Sequence, residues 1–190
     1  MTQQTPPPDN YPGPWQNARR VDDLDYLQQD ERDIADMAGD SAYRFLAVYR
    51  RRQEGRTTFN MAAFFFPLVW LFYRRLWEVG LLYLLGASTY LQSLTYIEEH
   101  WPGSFSGILG SMAQGVPSLV AALWAYPWFF RRARQLQDQA NREGLSGEAR
   151  SAFFKEHGRG SSLGLLAGIA ITVGLVWLSL AMADNPSLFD

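Results

Sequence analysis

Read along the chain, the spacing of apolar positions changes character near residue 59. Before it, residues 21–38 place Leu24, Leu27, Ile34 and Met37 at helical intervals among acids, which predicts a short amphipathic helix ended by Gly39. Asp40 or Ser41 can cap a second helix running to about Gln53, with Ala42, Phe45, Leu46 and Tyr49 on one face and Arg44, Arg51 and Arg52 away from it. After it, the sequence becomes continuously apolar in four stretches. Three of them, 76–97, 107–130 and 162–183, reach the roughly 20 residues that a helix needs to cross a bilayer core of about 30 Å. The fourth, 59–73, has 13 apolar residues among its 15, yet at about 1.5 Å per residue it reaches only about 22 Å. Arg56 precedes it and Arg74 and Arg75 follow it. Crossing would strand the latter pair on the far side, so a re-entrant or interfacial helix with a bend at Pro67 is predicted.

The fold class that follows is an all-α integral membrane protein. It has three transmembrane helices, a preceding re-entrant or interfacial aromatic helix at 57–75, and N-terminal cytosolic amphipathic helices at 19–56. Residues 131–161 are expected to form a cytosolic loop. A soluble protein with three uncharged buried helices would need a far larger polar shell than 190 residues supply. Residues 1–18 hold five of the ten prolines and no apolar period, which predicts a disordered tail. They lack the basic start and apolar run of a signal peptide.

Charge orients this arrangement. The net charge of -2 and the mean hydropathy of -0.18 suggest an ordinary soluble chain, but the charges are sorted into blocks. Residues 41–75 carry seven arginines against one acid, residues 1–40 nine acids against three arginines, and residues 76–130 three acids and no base. With the N-terminus cytoplasmic, all 17 Lys and Arg residues lie inside, and the segments 98–106 and 184–190 lie outside with acids only. Trp70, Tyr73, Trp77, Tyr126 and Trp128 then mark the inner interface, and Tyr96, Trp101 and Trp177 the outer one. The C-terminus is then expected to be external.

Candidate chemistry is sparse. Gly107, Ser111 and Gly115 form a small-residue stripe, and Gly164 and Gly168 a G-x-x-x-G pair, both suited to close helix packing within the chain or in a homo-oligomer. Gln92 and Gln114 fall at similar depth in an antiparallel pair and are expected to bond as polar glue. Pro117 frees a carbonyl that a neighbouring helix must satisfy. Glu78 is expected to pair with Arg74 and Arg75. Without cysteine, disulfides, thiolate metal sites and cysteine nucleophiles are excluded. His100 and His157 fall on opposite sides of the membrane, Asp22, Asp23 and Asp25 lack the glycine turn and closing Glu of a calcium loop, and no phosphate-cradling glycine motif occurs. No enzyme activity and no cofactor or metal is therefore expected, and a pI near 5.7 argues against nucleic acid as a partner. The strongest hint is the cluster Arg50, Arg51, Arg52, Arg56, Arg74, Arg75, Arg131, Arg132 and Arg134 at the inner surface, where each basic group gains about 1 kcal/mol from an anionic leaflet. Contact with anionic lipid or a membrane partner is expected there. The acidic first helix is a candidate to dock on the basic second one.

The run from Phe59 to Arg75, FNMAAFFFPLVWLFYRR, resembles the signature of a bacterial membrane family catalogued as domain of unknown function 2628, F-N-W-A-A-F-F-x-G-P-x-W-x-x-Y-R-K after a short cytosolic helix. Met61 stands where an aromatic is usual, and the Gly-Pro pair is reduced to Pro67. Arg159, Gly160 and Ser162 are similar to the Arg, Gly and Ser positions that often precede the family's last span. The resemblance implies a small inner-membrane protein with no established activity. It also implies that the zinc ribbon of some relatives is absent here, since the tail has no cysteine. An interaction or scaffold role is expected first, and a subunit of an oligomeric small-molecule channel or transporter second.

Overall fold

A computed structural model describes residues 27–105 and 107–184. The Pro-rich tail, Leu24, Asp22, Asp23 and Asp25 lie outside the described residues. All regular elements among the described residues are helical: α1 Gln29–Ala38, α2 Ala42–Gln53, α3 Met61–Phe65, α4 Pro67–Tyr73, α5 Trp77–His100, α6 Gly107–Arg142, α7 Gly147–Gly158 and α8 Ser162–Asp184. A short 3₁₀ turn, Gly39–Ser41, joins α1 to α2. The turn follows from Gly39, which takes φ +61°, a left-handed conformation that ends α1 and that a side chain would strain.

Two departures from the sequence reading matter for the site. The expected loop at 131–161 is helical: α6 runs on for 36 residues to Arg142, and α7 follows after a short turn. Ala133, Leu136 and Ala140 explain the continuation, since they recur on one face and are buried against the amphipathic helices. The aromatic stretch is not one helix but two. It breaks at Phe66 because Pro67, as first residue of α4, has no N–H to continue α3.

The core sits at one end of the molecule, where α1, α2, α7 and the C-terminal half of α6 meet. Ile34, Met37, Phe45, Phe129, Leu136 and Phe154 are almost fully buried there. Phe45 is the hub, with its ring 4.4 Å from that of Phe129 and edge-on to Tyr126 at 5.4 Å. Polar locks hold the periphery. Arg50 binds Glu31 through two hydrogen bonds of 2.7 and 3.1 Å, and Tyr49 donates to Asp30 at 2.7 Å, so the acidic α1 does dock on the basic α2.

The rest is apolar and open. Among the described residues two helices are long and apolar enough to cross a membrane, α6 and the C-terminal one containing α8. Only 22% and 11% of their most apolar stretches are buried, unlike the mostly buried core helix of a soluble protein. The 24-residue α5 is long enough at about 36 Å, but Tyr, Ser, Thr and Gln side chains from Ser88 to Tyr96 dilute its apolar character.

Candidate functional site

Helix α4 is the structural keystone beneath the site. Asn60 caps α3 by accepting from the Ala63 N–H at 3.0 Å, and its own N–H donates to the Ala122 carbonyl of α6 at 3.0 Å. Ala63, Ala121, Ala122 and Ala125 are fully buried, and their small side chains let α3 lie directly on α6. On the opposite side α4 packs against α8. A Cβ at Gly164 would collide with the Phe72 carbonyl, one at Gly168 would come 2.7 Å from Val69 Cα, and one at Gly160 would strike the Tyr73 ring. The G-x-x-x-G pair therefore seats α4 within the chain, and Gly160 extends it by one step. The other stripe differs, because Cβ atoms at Gly107 and Gly115 would meet nothing within 4 Å and Ser111 is exposed.

The nine arginines divide into three groups. Arg74 is buried, and Arg50, its side chain 36% exposed, stays partly open to solvent. Arg50 is spent on Glu31, and Arg74 is 7% exposed, its guanidinium 4.5 Å from the Phe45 ring centre and 5.7 Å from that of Phe129. Burial without a carboxylate holds Arg74 below its ordinary pKa, opposed by the nearby tyrosines Tyr73 and Tyr126. Arg51, Arg52, Arg56 and Arg134 remain on the outside, Arg56 with a loose contact to Glu54 at 3.4 Å. Arg75, Arg131 and Arg132 come together at one end of a cleft.

That cleft, about 770 Å³, opens between α5 and α6. Its mouth carries Arg75, Glu78, Trp128, Arg131 and Arg132. Arg75, at φ +56°, donates to the Glu156 carbonyl at 2.6 Å, which ties the mouth to α7. Glu78 is exposed and makes no ion pair among the described residues, so the expected pairing with Arg74 and Arg75 is not formed. The reason is the turn after α4, which buries Arg74 and sends Arg75 towards α7. Arg132 has a buried Nε without any hydrogen-bond partner. Deeper in, the walls are Leu82, Gly86, Ala87, Val116, Pro117 and Val120.

The far end of the cleft is closed by a bond that answers Pro117. A proline frees the carbonyl four residues before it, here that of Ala113, and Tyr90 Oη donates to that oxygen at 3.1 Å. Gln92 and Gln114 do not take part: both are exposed, and they form no hydrogen bond with each other among the described residues. The cross-helix polar contact is made by a tyrosine and a backbone carbonyl instead.

The sequence reading also missed a buried lock near the site. Arg150 of α7 grips Asp33 of α1 with bonds of 2.9 and 2.8 Å and reaches Asn141 of α6 at 2.7 Å. Asp33 is 2% exposed, and its hydrogen bond raises the Arg150 pKa above the ordinary value. No group of His, Asp and Glu that suits a metal occurs among the described residues. His100 and His157 each face the backbone carbonyl four residues earlier on their own helix.

No curated protein and no solved structure matches the chain. Residues 33–132 match the family described as Protein of unknown function (DUF2628). The match covers just over half of the sequence. It begins at the buried Asp33, contains the capped aromatic hairpin, and ends at Arg132 in the mouth of the cleft. The chain belongs to this family.

Proposed function

We propose that this is a three-span protein of a bacterial inner membrane, with its N-terminus in the cytoplasm. It acts without catalysis of its own, as an interaction or scaffold protein whose arginine-rich inner face engages anionic lipid or a membrane partner. The observation that carries this reading lies within one helix. α6 exposes Ile108, Leu109 and Met112 at 80, 59 and 68% in its first half and presents Arg131, Arg132 and Arg134 at the other end. Because Arg75 at the start of α5 shares a cleft mouth with Arg131 at the end of the apolar part of α6, α5 covers the same depth as α6. That supports three spans rather than two.

The aromatic hairpin is read as re-entrant. Asn60 meets α6 at Ala122, nine residues in from Arg131 and hence about 13 Å deep. The following helix α4 climbs back along α8, from Gly168 beside Val69 to Gly160 beside Tyr73. Phe65 and Phe66, 62 and 61% exposed, stand at the tip between. This suits insertion into the apolar layer better than a helix lying flat on it.

Reporter fusions at Gly103 and after Asp190 test the topology: both should report the external side, and a cytoplasmic signal from either overturns it. Quantitative crosslinking in native membranes tests the role. Contacts from Arg51, Arg52 and Arg134 positions to lipid or to a membrane protein are expected, and contacts to neither contradict it. A second reading, an oligomeric channel or transporter subunit, draws support from the unpacked stripe Gly107, Ser111 and Gly115, which offers a close-packing face to another copy. A monomer in detergent that passes no solute in liposomes excludes it.

A further inference from the structure

We infer that the α5–α6 cleft is a stoichiometric site for one anionic glycerophospholipid of the inner leaflet. Its phosphate sits between Arg131 and Arg132, and one acyl chain lies along the cleft. This rests on the topology proposed above. Charge and shape agree on that occupant. The mouth holds three guanidinium groups against the single carboxylate of Glu78, which favours an anionic over a zwitterionic headgroup. Arg132 Nε is buried and has no acceptor, a donor left open in the way a phosphate oxygen would fill. Trp77 and Trp128 flank the mouth at the depth where indole rings sit beside headgroups.

Length gives a further match. The cleft's lining runs along this side from Arg75 to Tyr90; below the mouth residues, from Val79 on, it follows α5 for 11 residues, about 16 Å, close to half of a core of about 30 Å. It is therefore one leaflet deep, and the bond from Tyr90 to Ala113 closes it there. Gly86 keeps the α5 wall open: nothing lies within 4 Å of where its Cβ would stand. A peptide helix of about 10 Å diameter would not fit a space of 770 Å³ over that length, whereas one acyl chain does.

The test uses the full chain in nanodiscs of phosphatidylglycerol and phosphatidylcholine, with retained lipid counted by native mass spectrometry. One phosphatidylglycerol per chain is expected to be held in preference to phosphatidylcholine. Arg131→Ala and Arg132→Ala should each weaken retention about fivefold, and Arg142→Ala, outside both the cleft and the nine-arginine face, should leave the bound count unchanged. Gly86→Phe puts a ring into the cleft from a position where a Cβ meets nothing within 4 Å, and should abolish retention at unchanged helicity. Gly86→Ala leaves the space open and should retain the lipid, which separates filling from misfolding. Equal retention of both lipids, no retained lipid, or unaltered retention in Gly86→Phe overturns the cleft site. If Gly86→Phe is silent while the arginine variants weaken anionic lipid contact generally, the cleft fails and the basic inner face stands. If the reporters invert the topology, that face fails too.

Discussion

The two ends of α6 lie in the same helix and are built for different surroundings. From Phe129 to Ala140 its inward face is buried under α1, α2 and α7, with aromatic contacts at the centre. From Gly107 to Val120 it exposes Ile, Leu, Met and Val side chains and touches mainly α5. On the topology proposed above, water drives the packing at the first end, because apolar area is removed from it. At the second end no such force would act between helices in an apolar medium, and contact would rely on small residues and a few hydrogen bonds. Changes at the two ends should therefore differ in size and in what they disturb.

The largest effect is expected from the lock at the watery end. Arg150→Met leaves Asp33, 2% exposed, without its main partner, a loss of about 3–5 kcal/mol for a broken buried pair. Thermal unfolding and protease access to α1 and α7 should both report it. The double variant Asp33→Leu with Arg150→Met should recover most of the loss, since neither buried charge remains. If the single variant melts α5 and α8 together with α1, the two ends are one cooperative unit and the comparison fails. The pair should not make stability depend on pH near neutrality. The Arg150 pKa is raised in the folded state, so its contribution is fully present below the unfolded value and is lost only in strong alkali.

Next in size is the seat of α4. Gly164→Val drives a side chain into the Phe72 carbonyl and should cost about 1–3 kcal/mol as an overpacked contact. Gly115→Val, on the unpacked stripe, should cost the monomer almost nothing, because nothing stands within 4 Å. Crosslinking between Gly115 positions of two chains would show that a second copy covers this face, and the valine should then lower the dimer fraction. A smaller effect belongs to Tyr90→Phe, which strands the Ala113 carbonyl freed by Pro117. About 0.6 kcal/mol is typical for such a bond between membrane helices. A loss several times larger would indicate that the bond also holds α5 against α6.

How much of this was legible in the sequence depends on the range of each signal. Apolar run length and helix periodicity are local, and they located α2, α5 and α8 within a few residues and the start of α6, whereas α1 begins only at Gln29 and α6 runs 12 residues beyond the expected end. The Gly164 and Gly168 spacing announced a close approach but not its partner, which is α4. The continuation of α6 was present as the spacing of Ala133, Leu136 and Ala140, and was masked by the charges between them. Arg150 and Asp33 stand 117 residues apart on unrelated helices, and no periodicity links them. The arginine cluster was visible as composition, but only the turn at Arg75 decides that Arg74 goes inward and Arg75 outward. The cleft was invisible for the same reason, since its mouth is assembled from residues on either side of both helices.

The smallest effect tests whether the α1–α2 contact belongs wholly to the watery end. Tyr49 donates to Asp30 at 2.7 Å, and burial, then that bond and the Asp30 charge, raise its pKa above 10.0. A raised value means that the folded state keeps the phenol proton more firmly than the unfolded chain. The contribution is therefore present below about pH 10 and is lost as pH rises through the folded value. Because the bond is only part-buried, Tyr49→Phe should cost under about 0.5 kcal/mol at neutral pH. Other tyrosines titrate in the same range, so the informative quantity is the difference in melting temperature between wild type and variant, followed from pH 8 to 11. That difference should shrink towards zero at the alkaline end, and should shrink equally in detergent and in lipid. A difference that persists at high pH removes the Asp30 bond as its source. One that changes with the lipid places α1 and α2 within reach of the membrane surface, and moves the boundary between the two environments outward past Tyr49.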